Sequence, residues 1–158
     1  MENEKSYRKR RIITMIIMAI VITLVAIFGA IKLLSYHATD QRTVENDISG
    51  STPTVVMFYR PTCTDCIKVE KTTKIAALKS KFNGSSSGYH DVYINTDTAY
   101  GKEKVQENTV QWTPTYMVFR NGEAQSLGKQ NGVDVYQYTG KNAKTIQNIY
   151  KTLTLDGK

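Results

Sequence analysis

Between Ile12 and Ile31 twenty consecutive positions pass with no charged residue, and only Thr14 and Thr23 interrupt a run of Ile, Val, Leu, Met, Phe and small residues. As a helix this run rises about 30 Å, the thickness of a bilayer's hydrocarbon core. A removable signal peptide has a shorter apolar part, about 7–15 residues, and ends in a small-x-small site. No good site of that kind lies between Ala30 and Ala38, and no cysteine stands nearby to take a lipid. An uncleaved transmembrane helix is therefore predicted over 12–34. Lys32 stands at its far end, where a long side chain can reach the interface. The cluster Arg8-Lys9-Arg10-Arg11 precedes the run. Basic residues stay on the cytoplasmic side, which places 1–11 inside and everything after about Leu34 outside.

This reading also disposes of most of the net charge of +7. Residues 1–35 hold six Lys/Arg and two Asp/Glu, leaving fifteen against twelve for the rest of the chain. The basicity is mostly a membrane-flanking signal, and no nucleic-acid partner is expected.

From Tyr36 to Thr52 the chain is polar and weakly periodic, at most forming a turn of helix near Val44 to Ile48. It is expected to be a tether over 35–52 that leads into one domain at 53–158. Thr54 to Tyr59 is an apolar run of strand length, the signature of a central strand buried on both faces. After it, Ile75, Leu78 and Phe82 fall at i, i+3, i+7 with lysines at 68, 71, 74, 79 and 81 elsewhere, which predicts an amphipathic helix over 67–82 buried through those three residues. Asn83 to Gly88 reads as an exposed loop with an Asn-Gly-Ser glycosylation-type triplet. A short strand is expected over His90 to Asn95, then a helix from Ala99 to Glu107 capped by Asp97-Thr98. Thr115 to Phe119 reads as a strong strand, and Asn121-Gly122 as a hairpin turn. Strands over 124–127 and 133–138 come next, and a last helix over 141–155 buries Ile146, Ile149, Tyr150 and Leu153. The strand–helix–strand start implies a parallel pair with a right-handed crossover; the hairpin adds an antiparallel partner. The expected fold is α/β, a mixed central sheet flanked by helices.

The only two cysteines are Cys63 and Cys66, placed between the first strand and the first helix of that domain. Positions i and i+3 share a helix face, close enough for a disulfide to close. The free N–H groups and positive end of the helix favour a thiolate on Cys63. Two cysteines cannot build a disulfide framework, and His37 and His90 are not at ligand spacing to them. No metal and no cofactor are expected.

Three pieces together carry a resemblance: the stretch from Val55 through Pro61-Thr62-Cys63-Thr64-Asp65-Cys66, then Trp112-Thr113-Pro114-Thr115, then Phe119-Arg120-Asn121-Gly122-Glu123. In order and spacing, from about Pro53 to Leu155, the chain resembles the thioredoxin superfamily. The resemblance implies Cys63 as the exposed nucleophile, Cys66 as the buried resolving thiol, and a cis Pro114 lying against them. Thr113 would then offer its backbone to an extended substrate, with Trp112 beside it. There are departures. Met57 stands where many members carry a buried carboxylate that takes the proton of the second thiol. Thr64-Asp65 replaces Gly-Pro, Tyr59 stands where tryptophan is common, and residues 129–132 are additional.

The expectation is a membrane-anchored thiol–disulfide oxidoreductase acting on exported proteins or peptides, outside the cell, with a redox partner protein if it reduces. The other reading is a non-catalytic interaction module of an envelope export or conjugation assembly, in which Cys63–Cys66 is a structural clip.

Overall fold

The computed structural model of the chain describes residues 2–34, 37–82 and 88–157. Most of the expected loop after the first domain helix, with its glycosylation-type triplet, lies outside the described residues. The chain divides into two units, Met1–Ser35 and Tyr36–Lys158.

The first unit is one helix, α1 (Glu2–Leu34). It runs through the basic segment without a break, so residues 2–11 are helical. Within it Arg10–Ala30 is long and apolar enough to cross a membrane, with a mean hydropathy of 2.9. Its two threonines donate their hydroxyls to carbonyls one turn back, Thr14 to Arg10 at 2.9 Å and Thr23 to Ala19 at 2.8 Å. No polar hydroxyl in the apolar run thus needs water as a partner.

The second unit begins with a helix where a tether was expected. Asp40 caps α2 (Gln41–Ser49) by accepting from the Thr43 N–H. Val44 is completely buried among Val56, Phe58, Val92, Met117 and Phe119. The segment is also pinned at its ends: Thr39 N–H donates to the Tyr93 carbonyl at 2.9 Å, and Asn121 N–H to the Gly50 carbonyl at 2.7 Å. A single buried valine within a polar sequence escapes periodicity, yet a fully buried side chain of that size contributes about 1.5–3 kcal/mol. The folded domain therefore includes the described residues of 35–52.

Strands β1 (Thr54–Tyr59), β2 (His90–Asn95), β3 (Thr115–Arg120) and β4 (Glu123–Gln125) form a sheet in the order β2-β1-β3-β4. β1 is parallel to β2 and antiparallel to β3, and every residue of it is buried. Val55, Met57 and Tyr59 face α3 (Thr64–Phe82) and α5 (Ala143–Thr152); Val56 and Phe58 face α2 and the side that carries α4 (Ala99–Glu107).

Asn121 and Gly122, at φ 54° and 80°, make the expected hairpin turn into β4. Beyond β4 the chain departs from the expected strands. Lys129–Gln130 (β5) and Val133–Asp134 (β6) pair with each other in a small separate hairpin, and Gln137–Thr139 (β7) returns to pair with Thr115–Met117 of β3. The extra residues 129–132 are this hairpin's first strand and its turn, where Asn131 and Gly132 again both take positive φ.

α3 is the expected helix but buries a different face. Cys66, Val69, Thr73, Ala76 and Ala77 pack inward, whereas Ile75 is 41 % exposed and Phe82 84 %. Small residues allow closer approach to the sheet and to α5 than Ile75 and Phe82 would, so packing overrides the count of large apolar side chains. In α5 the expected residues Ile146, Ile149 and Tyr150 are all fully buried, and Leu153 caps the end with φ 61°.

The N-terminus of α4 comes so close to the end of β2 that a Cβ on Gly101 would sit 1.9 Å from the Asn95 carbonyl oxygen. Backbone cannot yield that distance without moving the helix. Gly101→Ala is expected to destabilise the domain by about 3 kcal/mol, the upper part of the range for overpacking, read as a lowered urea midpoint with an unchanged slope.

Candidate active site

The loop after β1 turns on a hydrogen bond from Cys63 N–H to the Arg60 carbonyl at 3.1 Å, and Ile67 N–H then donates to the Cys63 carbonyl at 3.0 Å. Cys63 is thus the residue that caps α3. Its Sγ takes the place of a capping oxygen and accepts the Cys66 N–H at 3.4 Å. This puts the sulfur at the end of the helix where unpaired N–H groups and the helix dipole stabilise negative charge. Cys63 is half-buried, Cys66 buried, and both are free thiols.

The second side of the site comes from the loop before β3. The Thr113–Pro114 peptide bond is cis. The Thr113 carbonyl faces Cys63 and accepts its S–H at 3.3 Å. The loop is held by Thr115, whose hydroxyl lies 2.6 Å from both the Trp112 carbonyl and the Thr139 hydroxyl, and by Gly140 N–H donating to the Pro114 carbonyl at 3.2 Å. Cys63 and Thr113, 50 positions apart in sequence, are therefore brought together, with Pro114 next in the same loop. Trp112 stands at the edge, 72 % exposed.

The two sulfurs are chemically unlike. Burial works against the Cys63 thiolate, but hydrogen bonds from the Thr113 hydroxyl, the Cys66 thiol and the N–H groups of Cys66 and Asp65 outweigh it, and its pKa lies below the ordinary thiol value. At Cys66 burial dominates and pushes the pKa up to about 11, against weaker help from the Arg60 backbone. Met57, fully buried, lies in the same core cluster as Cys66, with Tyr93 and Tyr116 as its cross-strand neighbours.

Asp65, inside the motif, would oppose a thiolate. The fold answers its charge with Lys141, 3.0 Å away from the start of the last helix, and with Lys68 at 3.6 Å. Lys141 first, through its hydrogen bond, and then Lys68 hold the carboxyl below its usual range. Nothing in the local sequence pointed to Lys141, which is 76 positions away.

A groove of about 570 Å³ opens beside Cys63, walled by Arg60, Asp97, Lys102, Val105, Val110, Trp112 and Thr113. The Arg60 and Asp97 side chains pair across it at 3.2 Å. Of these residues only Cys63, Trp112 and Thr113 were read from the sequence. The α4 residues were missed because an ordinary short helix carries no signal of the wall it will form. Among the described residues no group of three or more His, Cys, Asp or Glu side chains comes together.

A strand delivering a Cys-x-x-Cys pair to a helix N-terminus, against a cis-proline loop and inside a mixed sheet, defines a thiol–disulfide oxidoreductase of thioredoxin fold. The chain belongs to the thioredoxin family, whose model matches residues 35–149. Among solved structures it is similar to thioredoxin from Trypanosoma brucei brucei, at 17 % identity over 72 % of this chain and 85 % of that one, with a TM-score of 0.52. It is also similar to Trxlp from Edwardsiella tarda EIB202, at 16 % identity over 72 % and 96 % of the two chains, with a TM-score of 0.53. The oxidised thioredoxin from Plasmodium falciparum aligns at 16 % identity over 73 % and 93 %, with a TM-score of 0.53. No match was found among curated proteins.

Proposed function

We propose that this oxidoreductase is anchored in a membrane by α1 and works on protein or peptide thiols and disulfides on the far side from its basic N-terminus. Cys63 is the nucleophile. Its thiolate attacks one sulfur of a substrate disulfide, forming a mixed disulfide and releasing the other sulfur as a thiolate. Cys66, once deprotonated, attacks the Cys63 sulfur. The substrate's second sulfur leaves as a thiolate, and a Cys63–Cys66 disulfide remains; two electrons have passed to the substrate. Run backward, the same steps oxidise a substrate dithiol.

The observation that carries this reading is the Cys63 sulfur itself, half-exposed at a helix N-terminus, bonded to the Cys66 N–H and facing Thr113 at the mouth of a groove. Thr113 and Pro114 supply the edge along which an extended substrate pairs, and Trp112 covers its neighbouring side chain. The apolar length of Arg10–Ala30 supports the anchor, and the basic residues before it support the orientation. An oxidising compartment is where such a pair can rest as a disulfide.

Cys66→Ser leaves the nucleophile and removes the second attack. In membranes of cells carrying the full chain, this variant is expected to accumulate mixed disulfides with exported proteins, seen as bands that reductant collapses. Cys63→Ser should trap none. Equal trapping by both variants, or trapping only of cytoplasmic proteins, would refute the assigned roles or the sidedness respectively.

A further inference from the structure

α3 carries apolar side chains on two sides. One side is the buried face already described. On the other, Ile67 is 56 % exposed, Ile75 41 % and Phe82 84 %, and Leu78 is half-buried. Positions 67, 71, 75, 78 and 82 succeed one another at three- and four-residue steps, so they form one stripe along the helix. Lys71 lies within the stripe, and Lys68 and Lys79 run beside it. The helix has only two carboxylates: Asp65 in its first turn, paired with Lys68 and Lys141, and Glu70, one turn beyond the inward-facing Cys66. Single exposed apolar residues on a surface need no explanation, but a row of them on one helix does. Apolar side chains flanked by lysines are the pattern of helices that lie in the plane of a membrane interface. There the apolar groups sink below the headgroups while the ammonium groups reach up to phosphate.

The length of the chain points the same way. Leu34 ends α1, and by Thr39 the backbone is already bonded to Tyr93 of the edge strand β2. Five residues span at most about 18 Å when fully extended. α3 lies along that same strand: the Lys74 ammonium is 3.7 Å from the centre of the Tyr93 ring, and Lys81 pairs with Asp91. The lysine-rich helix and the point where the chain joins the domain therefore share one edge of it. Building on the anchored reading above, we propose that the exposed face of α3 docks on an anionic lipid surface through Ile67, Ile75 and Phe82, with Lys71 and Lys79 meeting the headgroups. Cys63 caps this helix, so docking holds the reactive sulfur close to the bilayer and directs it to thiols that lie near the membrane.

The test uses the full chain with Phe82→Trp and Trp112→Phe, reconstituted in vesicles of phosphatidylcholine with phosphatidylglycerol whose acyl chains carry bromine. Emission from position 82 is expected to fall about twofold against unbrominated vesicles, as for a side chain below the headgroups. Adding Lys71→Glu and Lys79→Glu, or raising the salt, should restore it. Unquenched emission from chain that resists carbonate extraction overturns the docking while leaving the anchor standing. That result is also what a protein partner on this face would produce. Chain extracted by carbonate overturns the anchor, and the docking with it. Equal, salt-insensitive quenching in pure phosphatidylcholine overturns the requirement for anionic lipid.

Discussion

Resolution of the mixed disulfide is expected to accelerate about tenfold for each pH unit between pH 7 and pH 10, then to level off. The attacking species is the Cys66 thiolate, and burial pushes that thiol up to about 11. At pH 7 only about one molecule in 10⁴ carries it. The direction is set by the acid: below its pKa the reactive fraction grows as protons are removed, and above it the fraction saturates. Once Cys63 is tied up in the mixed disulfide its own thiol no longer acts on Cys66, but burial, the largest influence, remains. Met57 itself offers no proton acceptor, since the buried position that holds a carboxylate in many relatives is filled here by a thioether. The measurement is stopped-flow release of a chromophoric thiol from Cys63 across that pH range. A flat profile would mean that some other group takes the proton, and the significance given to Met57 would be wrong.

Val44→Asp is expected to leave most of the domain unfolded. Val44 has no exposed surface and lies among the apolar side chains of three strands. A carboxylate there loses its water with no partner in return, at a cost of several kcal/mol. That is comparable to the whole net stability of a domain this size, about 5–15 kcal/mol. Urea unfolding of Val44→Asp beside Val44→Ala separates the two contributions: the alanine should cost about 1–2 kcal/mol, the aspartate far more. Near-native stability in both would return α2 to the role of a tether.

These two residues mark opposite limits of sequence reading. Met57 was legible through the resemblance to the thioredoxin superfamily, many members of which carry a buried carboxylate at that position of the strand before the Cys-x-x-Cys. Val44 was not, because one apolar residue among polar ones has no period and its burial depends on β3 and α4 being present. The second hairpin repeats the lesson in a milder form. Asn131-Gly132 has the same turn chemistry as Asn121-Gly122, so its signal was present, but only pairing of β7 with β3 shows that the residues between them leave the sheet and come back. The misplaced face of α3 has a different cause. Large apolar residues were counted as buried, whereas close packing against sheet and helix selected the small ones.

Local chemistry by itself determined the apolar helix, the order of the main strands and helices, and the placing of two sulfurs one helical turn apart, because each depends only on neighbours within a few residues. The tertiary structure decided which face of each helix is buried and that residues before Pro53 belong to the domain. It also brought Lys141 to Asp65 and Thr113 to Cys63. Those outcomes depend on which distant segments meet, and pairwise contact across the fold is not encoded in any short stretch of the chain.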